Sequence, residues 1–203
     1  MRRLTEKKIV IASQNRGKLH EIAVLLRSLG IEGISAPCLG LEAPPETEDT
    51  FAGNARIKSH AAAINSGLPA LSDDSGITVD ALDGQPGVFT ADWAETAHGR
   101  DFPMAMTKVW NLLEEVNAPS PRLAQFRCTL CLTWPDGHDE FFEGICTGSL
   151  TWPMRGNRGF GFDPIFIPDG DSETFGEMDP DRKNAMSHRA VAFAKFKSAC
   201  LNA

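Results

Sequence analysis

Apolar residues along this chain repeat with two periods, one suited to strands and one to helices, and the switches between them lay out the elements. Lys8–Ser13 (KIVIAS) is a short β-branched run and predicts a buried strand. Gln14–Gly17 is polar and predicts a turn. From Lys18 to Leu29 the apolar positions are 19, 22, 25, 26 and 29, a helical spacing that Gly30 stops. Ile31–Ala36 predicts a second short strand. A strand, a helix and a strand in that order imply a parallel pair with a crossover helix. Pro37–Asp49 (PCLGLEAPPETED) is Pro-rich, acidic and read as loop. Thr50–Asn65 is Ala-rich and predicts a helix, with Thr50 as its N-cap and Gly67 as its stop.

The second half opens on ALSDDSGITVDAL, residues 70–82, an apolar strand-like run with two acids in its middle. Gly84–Gly87 (GQPG) is a turn. Phe102, Met106, Val109, Leu113 and Val116 follow a 4-3-4-3 spacing, one face of an amphipathic helix, which Asn117–Pro121 breaks. Arg122–Trp134 and Asp139–Leu150 are long strand-like runs around a PDGH turn, hence a hairpin. Trp152–Gly161 is a Gly-rich loop, Pro164–Ile167 a short strand, and Ser187–Leu201 a helix capped by Ser187 that buries Phe193, Phe196 and Cys200. The order predicts an α/β protein: a mixed twisted sheet with flanking helices, one domain over residues 1–203 built as two lobes.

Composition narrows the function classes. The 203 residues carry a net charge of −7, and an acidic chain is a poor partner for nucleic acid. A small phosphate ligand needs only a few local donors and stays open. Arg2 and Arg3 suggest a leader, but the apolar run Ile9–Ala12 is far too short for one and Glu6, Lys7 and Lys8 interrupt the approach. No stretch is long enough to span a membrane as a helix. Five cysteines, an odd number at irregular spacing, fit a reducing cytoplasm. Cys128 and Cys131 form a C-x-x-C inside a predicted strand, so their thiols face opposite sides and read as ordinary packing residues.

Five stretches carry candidate chemistry. Ser13-Gln14-Asn15-Arg16-Gly17-Lys18 lies between the first strand and the first helix, where a helix N-terminus and a lysine suit an anion. It is not a Walker A loop, because Ala12 and Leu19 break that pattern; the plain alternative is a polar turn with a solvated lysine. Asp73 and Asp74, ahead of Ser75 and Gly76, are oxygen ligands suited to Mg²⁺, or one of them is a general base raised by its neighbour. The plain alternative there is an Asx-turn. Glu46-Thr47-Glu48-Asp49 is an acidic cluster at a helix start, from which Glu46 is a further candidate metal ligand. In RGFGFDPIF, residues 158–166, Phe160 or Phe162 suits stacking on a flat base, with Gly161 allowing close approach and Asp163 reading a polar edge. Lys183 and Ser187-His188-Arg189 put cations at a helix N-terminus, where the dipole disfavours them, and they suit carbonyl or phosphate oxygens. Histidines 20, 60, 98 and 138 receive no role.

Together these stretches resemble the inosine triphosphate pyrophosphatase family, also called the noncanonical purine NTP pyrophosphatase (XTP/dITP diphosphatase) family. The matching segments are SQNRGKLHE at 13–21, ETEDTFAGNARIKS at 46–59, SDDSGI at 72–77, GQPGVFTA at 84–91, GFGFDPIF at 159–166 and KNAMSHRA at 183–190. The resemblance implies a hydrolase that cuts the α–β phosphoanhydride of (deoxy)inosine and xanthosine triphosphates, releasing monophosphate and pyrophosphate. It also implies Mg²⁺, a homodimer, and two lobes around a central nucleotide-binding cleft. On it, Ser13–Lys18 hold the phosphates, Asp74 is general base and metal ligand, and Glu46 is a second metal ligand with Asp73 beside them. Ser75 touches the substrate, Phe160–Asp163 stack on and read the base, and Lys183, His188 and Arg189 contact base and phosphates.

Two positions depart from the family pattern. Thr90-Ala91-Asp92 stands where many members have Ser-Ala-Arg, so no phosphate role is expected there. Glu48 replaces a frequent glycine and leaves the path of the acidic loop open. The rival readings are a related pyrophosphatase of the same fold with another base preference, as in the Maf-like proteins, and a nucleotide sensor without turnover.

Overall fold

A computed structural model describes residues 1–201. It opens with strand β1 (Lys8–Ala12), helix α1 (Arg16–Ser28) and strand β2 (Glu32–Ser35). β1 and β2 are parallel, as the crossover requires, with Val10 opposite Ile34. α1 begins two residues earlier than its apolar period suggests. Asn15 is the reason: its Oδ1 accepts from Gly17 N at 2.9 Å and Lys18 N at 3.2 Å, so the polar stretch is absorbed into a capped first turn. Helix α2 (Phe51–Ser66) has the predicted ends, with the Thr50 side chain accepting from Gly53 N and Gly67 left-handed at φ 68°.

Strand β3 (Ala70–Val79) then runs for ten residues without a break. The Asx-turn, the plain alternative for Asp73–Gly76, is not formed: the backbone stays extended and both acids find buried partners. β3 is parallel to β1, and their register ends at Ala12 opposite Ser72. Asp73 and Asp74 are therefore the first β3 residues past the carboxyl end of β1, the place where open α/β sheets bind ligands.

A two-stranded ribbon, β4 (Glu95–Thr96) with β5 (Gly99–Arg100), precedes helix α3 (Phe102–Glu115). α3 buries Ala105, Met106, Val109 and Leu113, but Val116, expected on the same face, falls beyond the helix end and is exposed. Strands β6 (Arg122–Thr133) and β7 (Asp139–Leu150) form the hairpin, turned at Gly137 with φ 86°. Strand β8 (Phe166–Pro168) is antiparallel to β7 and starts two residues later than expected, because Asp163–Ile165 form a 3₁₀ turn. A short helix α4 (Pro180–Met186), which lacks enough residues to show a period, leads into α5 (His188–Cys200). The mixed six-stranded sheet has the order β2-β1-β3-β6-β7-β8.

The chain divides into two compact units. The first holds Met1–Asp74, Cys128–Gly144 and the stretch from Val191 on; the second holds Ser75–Arg127 and Ile145–Ala190. Each has a core of its own. In the first, Ile9, Ile11, Ile22, Leu26, Leu71, Leu130 and Phe196 pack on one sheet face, and Val10, Ala62, Ala63 and Ala70 on the other. In the second, Ile77, Met106, Val109, Phe126, Phe162, Phe166 and Phe175 form an aromatic-rich core.

Candidate active site

In the first unit the strand period separates the two acids. Leu71 and Asp73 point to the side of α1, Ala70, Ser72 and Asp74 to the side of α2. Each acid meets its own lysine. Lys18 Nζ, from the first turn of α1, lies 2.6 Å from Asp73 Oδ1. Cys128, on β6, donates its thiol to Asp73 Oδ2 at 3.1 Å. Lys58 Nζ, from α2, lies 2.8 Å from Asp74 Oδ1 and 3.2 Å from Glu46 Oε1. Ser72 ties the same face to the helix by donating to Ala55 O at 2.6 Å. The two neighbouring charges are thus compensated on opposite sides of one strand.

Lys58 escaped the sequence reading, although a lysine one turn after Asn54 in an alanine-rich helix is a visible signal. It is only 9% exposed. Burial alone would lower its pKa, but Asp74, Glu46 and Asp73 outweigh burial and raise it, so it stays charged. Asp74 is 6% exposed, and burial pushes its carboxyl up to about 6 against the lowering pull of Lys58 and Lys18. Its Oδ2 is buried with no hydrogen-bond partner. A carboxylate with one oxygen clamped and the other unsatisfied is prepared to take a proton or a cation.

This donor set suits Mg²⁺. Among the described residues no three acids or histidines form a ready-made metal cluster. Mg²⁺ usually takes only one or two carboxylates and completes its shell with water and substrate phosphates. Asp74, with its unsatisfied buried Oδ2, and Glu46, which shares Lys58 with it, are two such carboxylates. Asp73 is already engaged by Lys18 and Cys128, which makes it a holder of Lys18.

In the phosphate-binding candidate, Ser13 Oγ accepts from Asn15 N at 3.2 Å and Gln14 Nε2 donates to Leu41 O at 3.1 Å. Asn15 Oδ1 occupies two amides of the α1 N-terminus, so its NH₂ group is the part able to donate to an anion. Arg16 and Gly17 form the first turn of α1.

The second unit gathers the other candidates. Lys183 Nζ on α4 lies 2.6 Å from Asp163 Oδ2, and the same oxygen accepts from Phe160 N at 2.7 Å. Gly159 has φ 72°, and a Cβ there would come 2.0 Å from Asp163 Oδ2, so only glycine fits this turn. Of the two phenylalanines, Phe162 is core: it is buried and meets Phe102 edge-on at 6.3 Å. Phe160 is half-buried, with Lys183 Nζ 5.1 Å and the Arg189 guanidinium 6.0 Å from its ring centre. Gly161, also left-handed at φ 67°, sends the two rings different ways. Arg189 Nη2 donates to Ser75 Oγ at 3.2 Å. His188 lies flat on Phe126, ring centres 4.9 Å apart at 13°. Asp92 is exposed in a 3₁₀ turn.

Of the histidines given no role, His60 proves to be engaged: its Nε2 lies 2.7 Å from Asp139 Oδ1. The C-x-x-C thiols do face opposite ways, Cys128 to Asp73 and Cys131 to Thr133. Burial raises the Cys131 thiol to about 11.

The Ham1 family model matches residues 9–199. A dITP/XTP pyrophosphatase of Ruegeria pomeroyi is 62% identical, over 95% of this chain and 94% of that protein. One from Agrobacterium fabrum is 54% identical over the full length of both. Among solved structures, a HAM1 protein from Coxiella burnetii superposes with a TM-score of 0.86 at 38% identity, covering 95% of this chain and 98% of that one. A nucleoside-triphosphatase / dITP/XTP pyrophosphatase from Mycobacterium abscessus gives 0.74 at 36% identity, over 93% and 98%. With sequence and fold matched almost end to end, the chain belongs to the Ham1 family.

Proposed function

We propose that this protein is a nucleoside triphosphate pyrophosphohydrolase that removes ITP, dITP and XTP from the nucleotide pool, giving the monophosphate and pyrophosphate. The observation that carries this reading is Asp74, a buried carboxyl raised to about 6, clamped at Oδ1 by Lys58 and unsatisfied at Oδ2. The relatives named as dITP/XTP pyrophosphatases support the choice of substrate.

In the reaction, a water oxygen bonds to the α-phosphorus, the α–β bridging bond breaks and pyrophosphate leaves with its electron pair. Asp74 Oδ2 takes the proton of the attacking water, and Lys58 holds the carboxyl so that Oδ2 faces the reaction. Lys18 and Arg16 neutralise phosphate charge at the start of α1, and the Asn15 amide donates a hydrogen bond to a phosphate oxygen. Glu46 and Asp74 would hold Mg²⁺, which when bound would supply further charge neutralisation on the phosphates. Phe160 is the platform on which the purine stacks, and His188 and Arg189 donate to its C6 carbonyl. Adenine would set an amino group against those donors, a mismatch of about 1–3 kcal/mol per unpaired group. Guanine keeps the carbonyl and is rejected through its 2-amino group. On this reading the chain works in the cytoplasm as a homodimer.

Pyrophosphate release from dITP, XTP, dGTP and dATP, measured with and without Mg²⁺, tests the proposal. Metal-dependent release from dITP and XTP is expected, with dATP and dGTP poor. Absence of release from both dITP and XTP sinks it.

A further inference from the structure

The acidic loop that carries Glu46 is not held by its own residues but by one turn of α2. Asn54, only 4% exposed, pairs with both backbone groups of Glu48: its Oδ1 accepts from Glu48 N at 2.9 Å and its Nδ2 donates to Glu48 O at 3.0 Å. A side-chain amide used in this way replaces the partner that a neighbouring strand would give. Beside it, Gly53 leaves room for the loop: a Cβ there would lie 2.5 Å from Glu48 Cβ and 2.6 Å from its Cγ. Glu48 itself is not among the residues with left-handed backbone, so no glycine is needed at that position. One helical turn after Asn54, on the same face, Lys58 meets Glu46 and Asp74.

We infer that Gly53 and Asn54 form a seat that fixes the acidic loop and thereby positions Glu46 beside Lys58 and Asp74, making Asn54 a positioning residue for the metal-binding carboxylate. This rests on the reading of Glu46 as a Mg²⁺ ligand. Glu46 is 46% exposed at its side chain, so its own packing does little to hold it. The Thr50 cap fixes the helix start that follows the loop, and the Glu48 clamp ties the loop itself to α2 two residues after Glu46. Loss of the clamp frees the carboxylate to swing into water, with the fold intact.

The test is Mn²⁺ affinity by electron paramagnetic resonance, in the presence of a non-hydrolysable α,β-methylene analogue of dITP, alongside Tm. Asn54→Ala is expected to weaken Mn²⁺ binding by roughly tenfold or more, the usual effect of removing a residue that orients a ligand. Glu46→Gln is expected to weaken it as well, and the double variant to be no weaker than Glu46→Gln within about twofold, since Asn54 acts through Glu46. Gly53→Ala separates seating from stability. Alanine favours the helix over glycine, so Tm should hold or rise, while its Cβ displaces Glu48 and Mn²⁺ affinity falls. If Glu46→Gln weakens binding but Asn54→Ala and Gly53→Ala leave it within about twofold of the parent, the seat is refuted and the metal reading stands. Full additivity of Asn54→Ala with Glu46→Gln also refutes it. If Glu46→Gln itself has no effect, the metal reading fails and the seat falls with it.

Discussion

Asp73 and Asp74 are neighbours in the chain, yet the strand turns their side chains to opposite faces, and each meets a different lysine. Their chemistry therefore differs. Asp73 is tied at both oxygens, to Lys18 and to Cys128, and orients a cation. Asp74 is tied at one oxygen only. Asp74→Asn keeps the shape and the contact face but cannot take a proton. It is expected to bind the dITP analogue within a few-fold of the parent and to lose at least about a hundredfold in kcat, the lower range for removing a general base. Calorimetric binding together with single-turnover kinetics checks this, and near-parent turnover excludes Asp74 as the base. From the sequence, the pair was visible but not the difference between them. That difference depends on which helix covers each face, information that residues 58 and 18 carry only after folding.

At the scale of elements, α2 is the part that organises the first unit's site. One face carries Asn54 and Lys58. Another is pinned to the β6–β7 hairpin through Asp139, which accepts from Thr133 Oγ1 at 2.7 Å, Arg56 Nε at 2.8 Å and His60 Nε2 at 2.7 Å. Burial would raise the Asp139 pKa, but the hydrogen bonds from Thr133, His60 and Arg56 and the charge of His60 prevail and lower it. A carboxyl lowered in the folded state adds stability above its unfolded pKa and loses it as pH falls through the folded value. Asp139→Asn should thus cost on the order of 2 kcal/mol at pH 7. The gap to the parent should close as pH drops below 3.8, the ordinary Asp value. Urea unfolding across that range measures it, and a pH-independent gap overturns it. The Phe160 turn is a second such element. Gly159→Ala puts a methyl against Asp163 in a left-handed backbone, so it should raise KM for dITP severalfold with the far-ultraviolet circular dichroism unchanged. An unchanged KM counts against Phe160 as the purine platform.

For the molecule as a whole, the two units have separate cores, and the candidate residues divide between them at one peptide bond, since Asp74 ends the first and Ser75 begins the second. The thiols report on both cores together. Cys38 is exposed and the other four cysteines are buried, with burial raising Cys131, Cys146 and Cys200 each to about 11. A chromogenic thiol reagent at pH 7.5 should therefore titrate one fast cysteine in the native protein and all five in denaturant. Two or more fast thiols would mean that a core opens readily. No helix among the described residues is long and apolar enough to cross a membrane.

Local rules were enough to read α1, α2, α3, α5 and the β6–β7 hairpin, because period, caps and turn residues act over a few positions. The motifs were legible for the same reason: SQNRGK, SDDSG and SHR are contiguous. Folding alone decided that Asp73–Gly76 is strand and not turn, since the two acid side chains are paired with Lys18, Lys58 and Cys128, which come from other parts of the chain. It also decided that Phe160 and not Phe162 is available as a platform, because Phe162 joins a core assembled from α3 and β8. Asn54 and Lys58 were hidden in an alanine-rich helix for a related reason. A buried amide or ammonium has meaning only through its partners, and those partners are a loop and a strand that meet the helix in the tertiary structure.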